Sequence, residues 1–306
     1  MLAGACTEVD EPGFLGGDDP LHEGTWAGQV PDGGFGSRLA SDGSRVWASS
    51  PFAARVDELT TRGALGNSLT SEGGSFFGAG LATVGGALAV GSPGRGELLV
   101  DGVIVATEPG LGGVVASDGT RWAASTPSGW RSSDGAIGTL GRRPDALVWS
   151  EGAVVAGAAF GTTAMWAGVP MVAHARNAAT DELGFALASC PDKNGAGVVW
   201  AGAPGAGTIV PAGGAPLGPG TGRFGAAIAC GSEAGVLFVG APGADEHAGA
   251  LYRVEGGAAV QVLSGAESDE LGTAVLVAGG RVFVGAPGGA ESPGRVLAIP
   301  EAELAR

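Results

Sequence analysis

The feature that most constrains the fold of this chain is a short phrase that recurs along it. An apolar residue and a glycine are followed, about 15 to 20 residues later, by two small residues and a proline. The clearest copies start at Phe224-Gly225 and Leu271-Gly272 and end at Gly240-Ala241-Pro242 and Gly285-Ala286-Pro287. Self-similarity at a regular period indicates an array of similar supersecondary units. The repeat therefore predicts the fold before any single residue does.

Four further copies keep the order of the phrase: Phe35-Gly36 with Ser49-Ser50-Pro51, Phe77-Gly78 with Gly91-Ser92-Pro93, Leu111-Gly112 with Ser125-Thr126-Pro127, and Leu183-Gly184 with Gly202-Ala203-Pro204. We call the glycine that follows the apolar residue the marker glycine, and the three residues that end each copy the triplet. Only the interval from Gly112 to Gly184 is long enough for two units. A degenerate copy fits there, with Gly157-Ala158-Ala159 as its triplet. The sequence thus predicts seven units.

Each copy reads as strands joined by tight turns. Asp42-Gly43, Asp118-Gly119 and Gly279-Gly280 separate apolar runs, and such pairs favour two-residue hairpins because both central residues need positive φ. A third apolar run follows each triplet, and several copies have a fourth. Four antiparallel strands in roughly 40 residues are the unit of a β-propeller.

The two ends of the chain complement each other. The last copy has no fourth strand, whereas an additional apolar segment, 25–30, precedes the first marker glycine. We expect this segment to pair as the outer strand of the last blade, since closure of the ring removes an exposed sheet edge. The prediction is an all-β, seven-bladed β-propeller that forms one domain over residues 24–306.

The most complete copy, residues 224–243 continuing through 248–254, resembles the FG-GAP repeat of integrin α-subunit heads and of many bacterial surface proteins. The resemblance extends over about residues 24–300. In that family the Phe-Gly pair and the Gly-Ala-Pro triplet are structural. The resemblance therefore implies a propeller and says little about the ligand.

Many members of that family bind Ca²⁺ through Asp-rich loops in the first hairpin. The corresponding turns here are too short to supply six to eight oxygen ligands. Only the turn 191–195 is longer; it offers Asp192 and Asn194 on either side of Lys193. An Asx-type turn is the alternative interpretation, and we expect the protein to need no cofactor.

Charge and the N-terminus suggest a location. The formal net charge of −15 disfavours binding to a nucleic-acid backbone. The segment Leu2-Ala3-Gly4-Ala5-Cys6 resembles the end of a bacterial lipoprotein signal, and an acidic stretch of Gly and Pro follows it up to residue 23. We expect an envelope or secreted protein that contacts the membrane only through a lipid on Cys6; an accidental cysteine in a tail, residues 1–23, is the alternative.

Two other cysteines, Cys190 and Cys230, fall near the ends of the first strands of neighbouring copies. They can form a disulfide if their Cα atoms lie within about 7 Å of each other. The alternative is a pair of small buried apolar residues.

Candidate contact residues lie on one face of the predicted propeller. This face carries the loops between second and third strands and the loops between blades, and binding residues concentrate on such loops. Trp130 and Arg131 are candidates because Trp and Arg dominate binding hot spots, although Trp130 can also pack against the neighbouring blade. The charged candidates are Asp245, Glu246, His247, Glu267, Asp269 and Glu270.

No Ser lies in a Gly-x-Ser-x-Gly frame, and the paired carboxylates sit in polar loops. We therefore expect a monomeric binding or adhesion module for a protein or glycan at the cell envelope, with no enzymatic activity. The alternative is a hydrolase or lyase that acts on polysaccharide in the central funnel. A purely structural member without a small ligand is a third possibility.

Overall fold

In a computed structural model, residues 24–60, 63–159, 164–166, 169–171, 178–289 and 292–305 are described. Within them the chain is almost entirely β-sheet, with a four-residue helix, α1 (Ala178–Asp181), and 3₁₀ turns at Pro51–Ala53 and Glu301–Leu304. No helix in these ranges has the length and apolar character that a bilayer crossing requires.

The strands form small antiparallel sheets in chain order, after a first strand, β1 (Gly24–Ala27), that joins the last sheet. Sheet 1 consists of β2 (Leu39–Ser41), β3 (Val46–Ser50), β4 (Arg55–Leu59) and β5 (Leu65–Thr70). Sheet 2 consists of β6 (Gly80–Val84), β7 (Ala87–Ser92), β8 (Glu97–Val100) and β9 (Val103–Thr107). Sheet 3 consists of β10 (Val115–Ser117), β11 (Trp122–Thr126), β12 (Gly129–Ser132) and β13 (Ile137–Thr139).

The second half of the chain continues this pattern. Sheet 4 consists of β14 (Ala146–Ser150), β15 (Ala153–Gly157), β16 (Ala164–Trp166) and β17 (Val169–Met171). Sheet 5 consists of β18 (Leu187–Pro191), β19 (Gly197–Ala203) and β20 (Thr208–Pro211). Sheet 6 consists of β21 (Ala227–Cys230), β22 (Val236–Ala241), β23 (Ala250–Glu255) and β24 (Ala258–Ser264). Sheet 7 consists of β25 (Ala274–Ala278), β26 (Arg281–Ala286), β27 (Arg295–Pro300) and β1.

The number of complete blades corrects the sequence prediction. The described residues form six four-stranded sheets, whereas we predicted seven such blades, and sheet 5 has only three strands. After β20 the chain contains Pro216 and Pro219, which cannot donate to a strand ladder. Leu217 alone pairs with Ile209, in an isolated bridge. The fourth strand of this sheet is therefore reduced to one pair of residues.

The predicted pairing of the chain ends is confirmed. β1 runs antiparallel to β27, with Gly24 opposite Ala298 and Ala27 opposite Arg295. The strand ends at Ala27 instead of Val30. Trp26 is fully buried in a cluster that joins sheets 7 and 1, and its Nε1 donates to the Thr60 carbonyl oxygen at 2.9 Å. The closing strand thus contributes both ladder hydrogen bonds and core.

The repeated phrase connects the blades through close backbone contacts. The N–H of Gly225 donates to the carbonyl oxygen of Gly240 in the same sheet, at 3.0 Å. Gly240 in turn lies against the next marker glycine, so that a Cβ on Gly240 would be 1.9 Å from the Gly272 oxygen. Gly285 and Gly36 make the same approach where the ring closes. The glycines are required because neighbouring backbones occupy the space of a side chain.

The degenerate copy predicted between Gly112 and Gly184 is present as sheet 4. Asp145 takes the place of its marker glycine, and the Asp145 N–H donates to the Gly157 oxygen at 2.8 Å. The first strands of all the sheets, β2, β6, β10, β14, β18, β21 and β25, contact one another in a closed cycle. They enclose the central channel of the propeller.

The hairpin turn of sheet 1 contains a charge-assisted cap. Asp42 Oδ1 accepts hydrogen bonds from the N–H groups of Arg45 and Ser44, at 2.7 and 2.8 Å, and Oδ2 accepts one from Arg45 Nε. Desolvation by burial raises the pKa of the Asp42 carboxyl, but these hydrogen bonds outweigh it and lower the pKa to about 2. Asp118 repeats the arrangement in sheet 3. The ionised carboxylate thus stabilises the turn.

Because the pKa of Asp42 is lower in the folded protein than in the unfolded chain, its stabilisation is present above about pH 4 and is lost as the pH falls towards 2. Asp42→Ala is therefore expected to lower the free energy of unfolding by about 1–2 kcal/mol at neutral pH, and by much less near pH 2. Urea denaturation of both proteins across this range measures the difference. A difference that is independent of pH would show that the charge of Asp42 has no part in the cap.

Candidate functional site

Two charged loops predicted from the sequence meet on the face that carries the loops after the second and fourth strands, here called the loop face. Residues 245–247 connect β22 to β23, and residues 267–270 connect β24 to β25. The Glu270 N–H donates to the His247 oxygen at 2.9 Å, and His247 Nδ1 lies 4.0 Å from Glu270 Oε1. The two loops that carry the six charged candidates therefore contact each other through His247 and Glu270.

A pocket of about 340 Å³ opens beside Glu270, where sheet 7 meets sheet 1. We call it the loop-face pocket. Its described lining consists of Asp32, Gly34, Ser37, Phe52, Glu270, Thr273, Pro287, Gly288 and Gly289. Two carboxylates, two hydroxyls and one aromatic ring therefore surround a single opening.

Residues at and next to the marker glycine of sheet 7 form one wall of this pocket. The Thr273 N–H donates to the Glu270 oxygen at 3.2 Å across a turn that contains Gly272, with φ +92°. Such a turn needs glycine at its third position, which explains why the marker glycine recurs in the copies. The Thr273 hydroxyl donates to the same oxygen at 2.8 Å. Glu270 is consequently held at a fixed position on the rim.

The opposite wall comes from sheet 1. Phe52 lies in the 3₁₀ turn Pro51–Ala53, which ends at Ala54 in the left-handed conformation. The Phe52 side chain is 67% exposed and meets the exposed Phe76 ring edge-on, with 6.2 Å between ring centroids. An exposed aromatic pair at a pocket rim is a surface on which an apolar face of a ligand can stack.

The remaining charged candidates differ in their roles. Asp269 accepts a hydrogen bond from the Ala266 N–H at 2.7 Å and forms an ion pair with Arg295, so it holds its own loop in place. Asp245, Glu246 and Glu267 are exposed. Asp245, Glu246 and His247 also adopt consecutive positive φ angles of 48°, 56° and 72°. Strain of this kind often accompanies function.

Trp130 and Arg131 lie away from the loop-face pocket. Trp130 is half-buried against the core between sheets 3 and 4, as in the packing alternative, and it lines a separate groove of about 470 Å³ with Trp149 and Ile137. Arg131 Nη1 lies 3.6 Å from Glu108 Oε2. These two candidates are therefore not part of the charged cluster.

Asp192 and Asn194 form an Asx turn at the opposite end of the strands. Asp192 Oδ1 accepts hydrogen bonds from the N–H groups of Ala196 and Asn194, at 2.9 and 2.8 Å, and these bonds lower the pKa of its carboxyl. Across the described ranges, no three His, Cys, Asp or Glu side chains are grouped as metal ligands.

Cys190 and Cys230 form a disulfide, with an S–S distance of 2.07 Å and a Cα–Cα distance of 5.3 Å. The sequence left this pairing open because first strands of adjacent blades are usually farther apart. β18 and β21, however, contact each other directly around the channel. Cys6 lies outside the described residues.

Of the polar and aromatic residues that line the pocket, four were not candidates in the sequence analysis: Asp32, Ser37, Phe52 and Thr273. A signal for two of them was present, because Ser37 and Thr273 directly follow marker glycines where the other copies have Ala79, Gly113, Phe185 and Ala226. A hydroxyl at a position that is otherwise small or apolar suggests a use beyond packing. No comparable signal marks Asp32 or Phe52.

No protein-family model matches this sequence, and no curated protein does either. Solved structures do match. They include virginiamycin B lyase from Staphylococcus aureus, with 12% identity and a TM-score of 0.66 over 90% of this chain and 98% of that one. A streptogramin B lyase matches with 13% identity and a TM-score of 0.65 over 90% and 96% of the two chains.

The β-propeller domain of Cps50 (Swd1) from Myceliophteria thermophila also matches, with 11% identity and a TM-score of 0.60, over 90% of this chain and 99% of that one. Likeness at this level of identity shows the β-propeller fold. The same comparisons correct our expectation that the chain is not an enzyme, since two of these structures are lyases on the same fold.

Proposed function

We propose that this protein binds a carbohydrate ligand in the loop-face pocket. The observation that carries the proposal is the convergence of Asp32, Glu270, Ser37 and Thr273 beside the exposed ring of Phe52. The carboxylates and the hydroxyl oxygens of Ser37 and Thr273 accept hydrogen bonds from sugar hydroxyls, and an aromatic ring packs against the C–H face of a sugar. A concave site with a few convergent polar groups is typical of small-ligand binding.

The scaffold supports this proposal because it holds both walls of the pocket. One wall belongs to sheet 7 and the other to sheet 1, and β1 connects these sheets through its ladder with β27 and the buried Trp26. The polar groups are therefore in place before a ligand binds, so binding costs little conformational entropy of the protein.

The proposal is tested by calorimetric titration with an array of neutral and acidic oligosaccharides. Phe52→Ala and Glu270→Gln are each expected to weaken binding about tenfold, because each removes one good contact worth about 1.4 kcal/mol. Ile137→Ala, which changes an apolar residue on sheet 3 that is at least as exposed as Phe52, serves as the control and should leave the affinity unchanged. Absence of binding by every sugar, or an equal loss in the control, would refute the proposal.

A second candidate function is polysaccharide cleavage by a lyase or hydrolase. The observation that favours it is the pair formed by His247 and Glu270 at the pocket rim. A His beside a carboxylate can act as a general base. A lyase would create a C=C bond that absorbs in the ultraviolet, and His247→Ala should abolish that signal. A hydrolase would instead release reducing ends.

We further propose that sheet 5 is a reduced seventh blade of a divergent FG-GAP-like propeller that forms one monomeric domain over residues 24–306. The closed cycle of first strands supports this, since β18 of sheet 5 takes its place between β14 and β21. The close contacts between marker glycines and triplets provide further support.

We also propose an extracytoplasmic location, in which a lipid on Cys6 or secretion places the protein at the bacterial envelope. The Cys190–Cys230 disulfide supports export, because disulfides persist in oxidising compartments. Mass spectrometry of the N-terminal peptide from a membrane fraction would show whether Cys6 carries acyl chains.

A further inference from the structure

Arg38 is an unusual residue for its position in the repeat. It lies two positions after marker glycine Gly36 and directly before β2, one of the first strands that enclose the channel. The other copies with a marker glycine have small or apolar residues at this position: Gly80, Val114, Ala186, Ala227 and Ala274. One copy alone therefore places a cation here.

Arg38 lies at the loop-face mouth of the channel, because it directly precedes β2. Its side chain is exposed to solvent, although the surrounding protein lowers the pKa of its guanidinium. Arg38 Nη1 donates to the Ser37 carbonyl oxygen at 2.8 Å, which keeps the guanidinium next to a residue that lines the loop-face pocket.

Arg38 also has no carboxylate partner in the described part of the chain. This is unexpected, because the chain has 31 Asp and Glu residues but only 16 Lys and Arg. The Arg residues with a described ion pair are Arg45, Arg55, Arg95, Arg121, Arg131, Arg142, Arg223, Arg253 and Arg295. A cation without a counter-charge attracts an anion.

We propose that Arg38 binds the carboxylate of an acidic sugar, a uronate, whose ring occupies the loop-face pocket. This inference rests on the carbohydrate-binding function proposed above. The planar guanidinium matches a carboxylate in a bidentate pair. The carboxylates of Asp32 and Glu270 repel a phosphate more than a uronate, because a phosphate carries more negative charge. Arg38 thus favours acidic over neutral sugars, and the carboxylates of Asp32 and Glu270 disfavour phosphates.

The experiment compares D-glucuronate with D-glucuronamide, which has the same ring and no charge. Wild-type protein is expected to bind glucuronate about tenfold or more tightly than glucuronamide, since hydrogen bonds between charged groups are about twice as strong as neutral ones. Arg38→Gln should lower the glucuronate affinity to that of glucuronamide, and Arg38→Lys should retain part of it. Glu270→Gln should weaken the binding of glucuronamide, which carries no charge for Glu270 to repel.

Nuclear magnetic resonance of protein labelled with [¹⁵N]arginine gives a direct readout. The Nε–H signal of Arg38, identified by its loss in Arg38→Lys, should shift with glucuronate and stay in place with glucuronamide. Equal affinities of the wild-type protein for the two sugars would overturn the role of Arg38 and leave the carbohydrate pocket intact. Failure of both sugars to bind would overturn the proposed function itself. The unfolding midpoint of Arg38→Gln should match wild type, because the side chain is exposed.

Discussion

Replacement of Gly240 by alanine is expected to lower the free energy of unfolding by about 3 kcal/mol, at the upper end of the range for an overpacked core. The added Cβ would lie 1.9 Å from the Gly272 oxygen and 2.7 Å from its carbonyl carbon. Both atoms belong to the backbone of the next blade, so no side chain can turn away to make room. Sheets 6 and 7 would have to move apart, which would also disturb the buried clusters between them.

Gly73→Ala is the matched control, because a Cβ at Gly73 meets nothing within 4 Å and the residue needs no positive φ. It should be neutral or slightly stabilising, since alanine loses less backbone entropy than glycine on folding. Urea denaturation measures both variants. If Gly240→Ala and Gly73→Ala are equally stable, then the contact between blades is not as close as the structure shows.

Removal of the Cys190–Cys230 disulfide is expected to lower the free energy of unfolding by about 4 kcal/mol. The two cysteines are 40 residues apart, so the bond closes a long loop in the unfolded chain. It also joins β18 to β21 beside sheet 5, the sheet that lacks a fourth strand. The bond therefore stabilises the part of the ring where a sheet has only three strands.

Chemical denaturation with and without a reductant tests this expectation. The double variant Cys190→Ala/Cys230→Ala should resemble the reduced wild type and should not respond to reductant. Cys6→Ala, which leaves the bond in place, should behave like oxidised wild type. If reductant leaves the wild-type midpoint unchanged, then the bond does not stabilise the fold.

Local turn chemistry explains which parts of the fold were predictable. Gly272 and the other marker glycines have positive φ, and the hairpin turns at Asp42-Gly43 and Asp118-Gly119 follow the residue preferences of such turns. Each of these requirements involves only a few adjacent residues. The prediction of seven complete blades was wrong because Pro216 and Pro219 limit the fourth strand of sheet 5 to a single bridge.

The site was predictable only as far as strand alternation places loops on one face. That rule grouped His247 with Glu270, which the structure places 4.0 Å apart. It also grouped Trp130 with them, although Trp130 packs between sheets 3 and 4. Residues on the same face of the propeller are not necessarily neighbours, because the position of a loop around the ring depends on which blade carries it.

The sequence by itself determined the repeat, the strand-and-turn order within each unit and the complementary chain ends, since these depend on contacts between residues close in the chain and on a regular period. Only the tertiary structure decided which distant groups meet. Ring closure brings Asp32 and Phe52, near one end of the chain, to Glu270 and Thr273, near the other. No local pattern encodes these juxtapositions, because they arise from the summed geometry of all the blades.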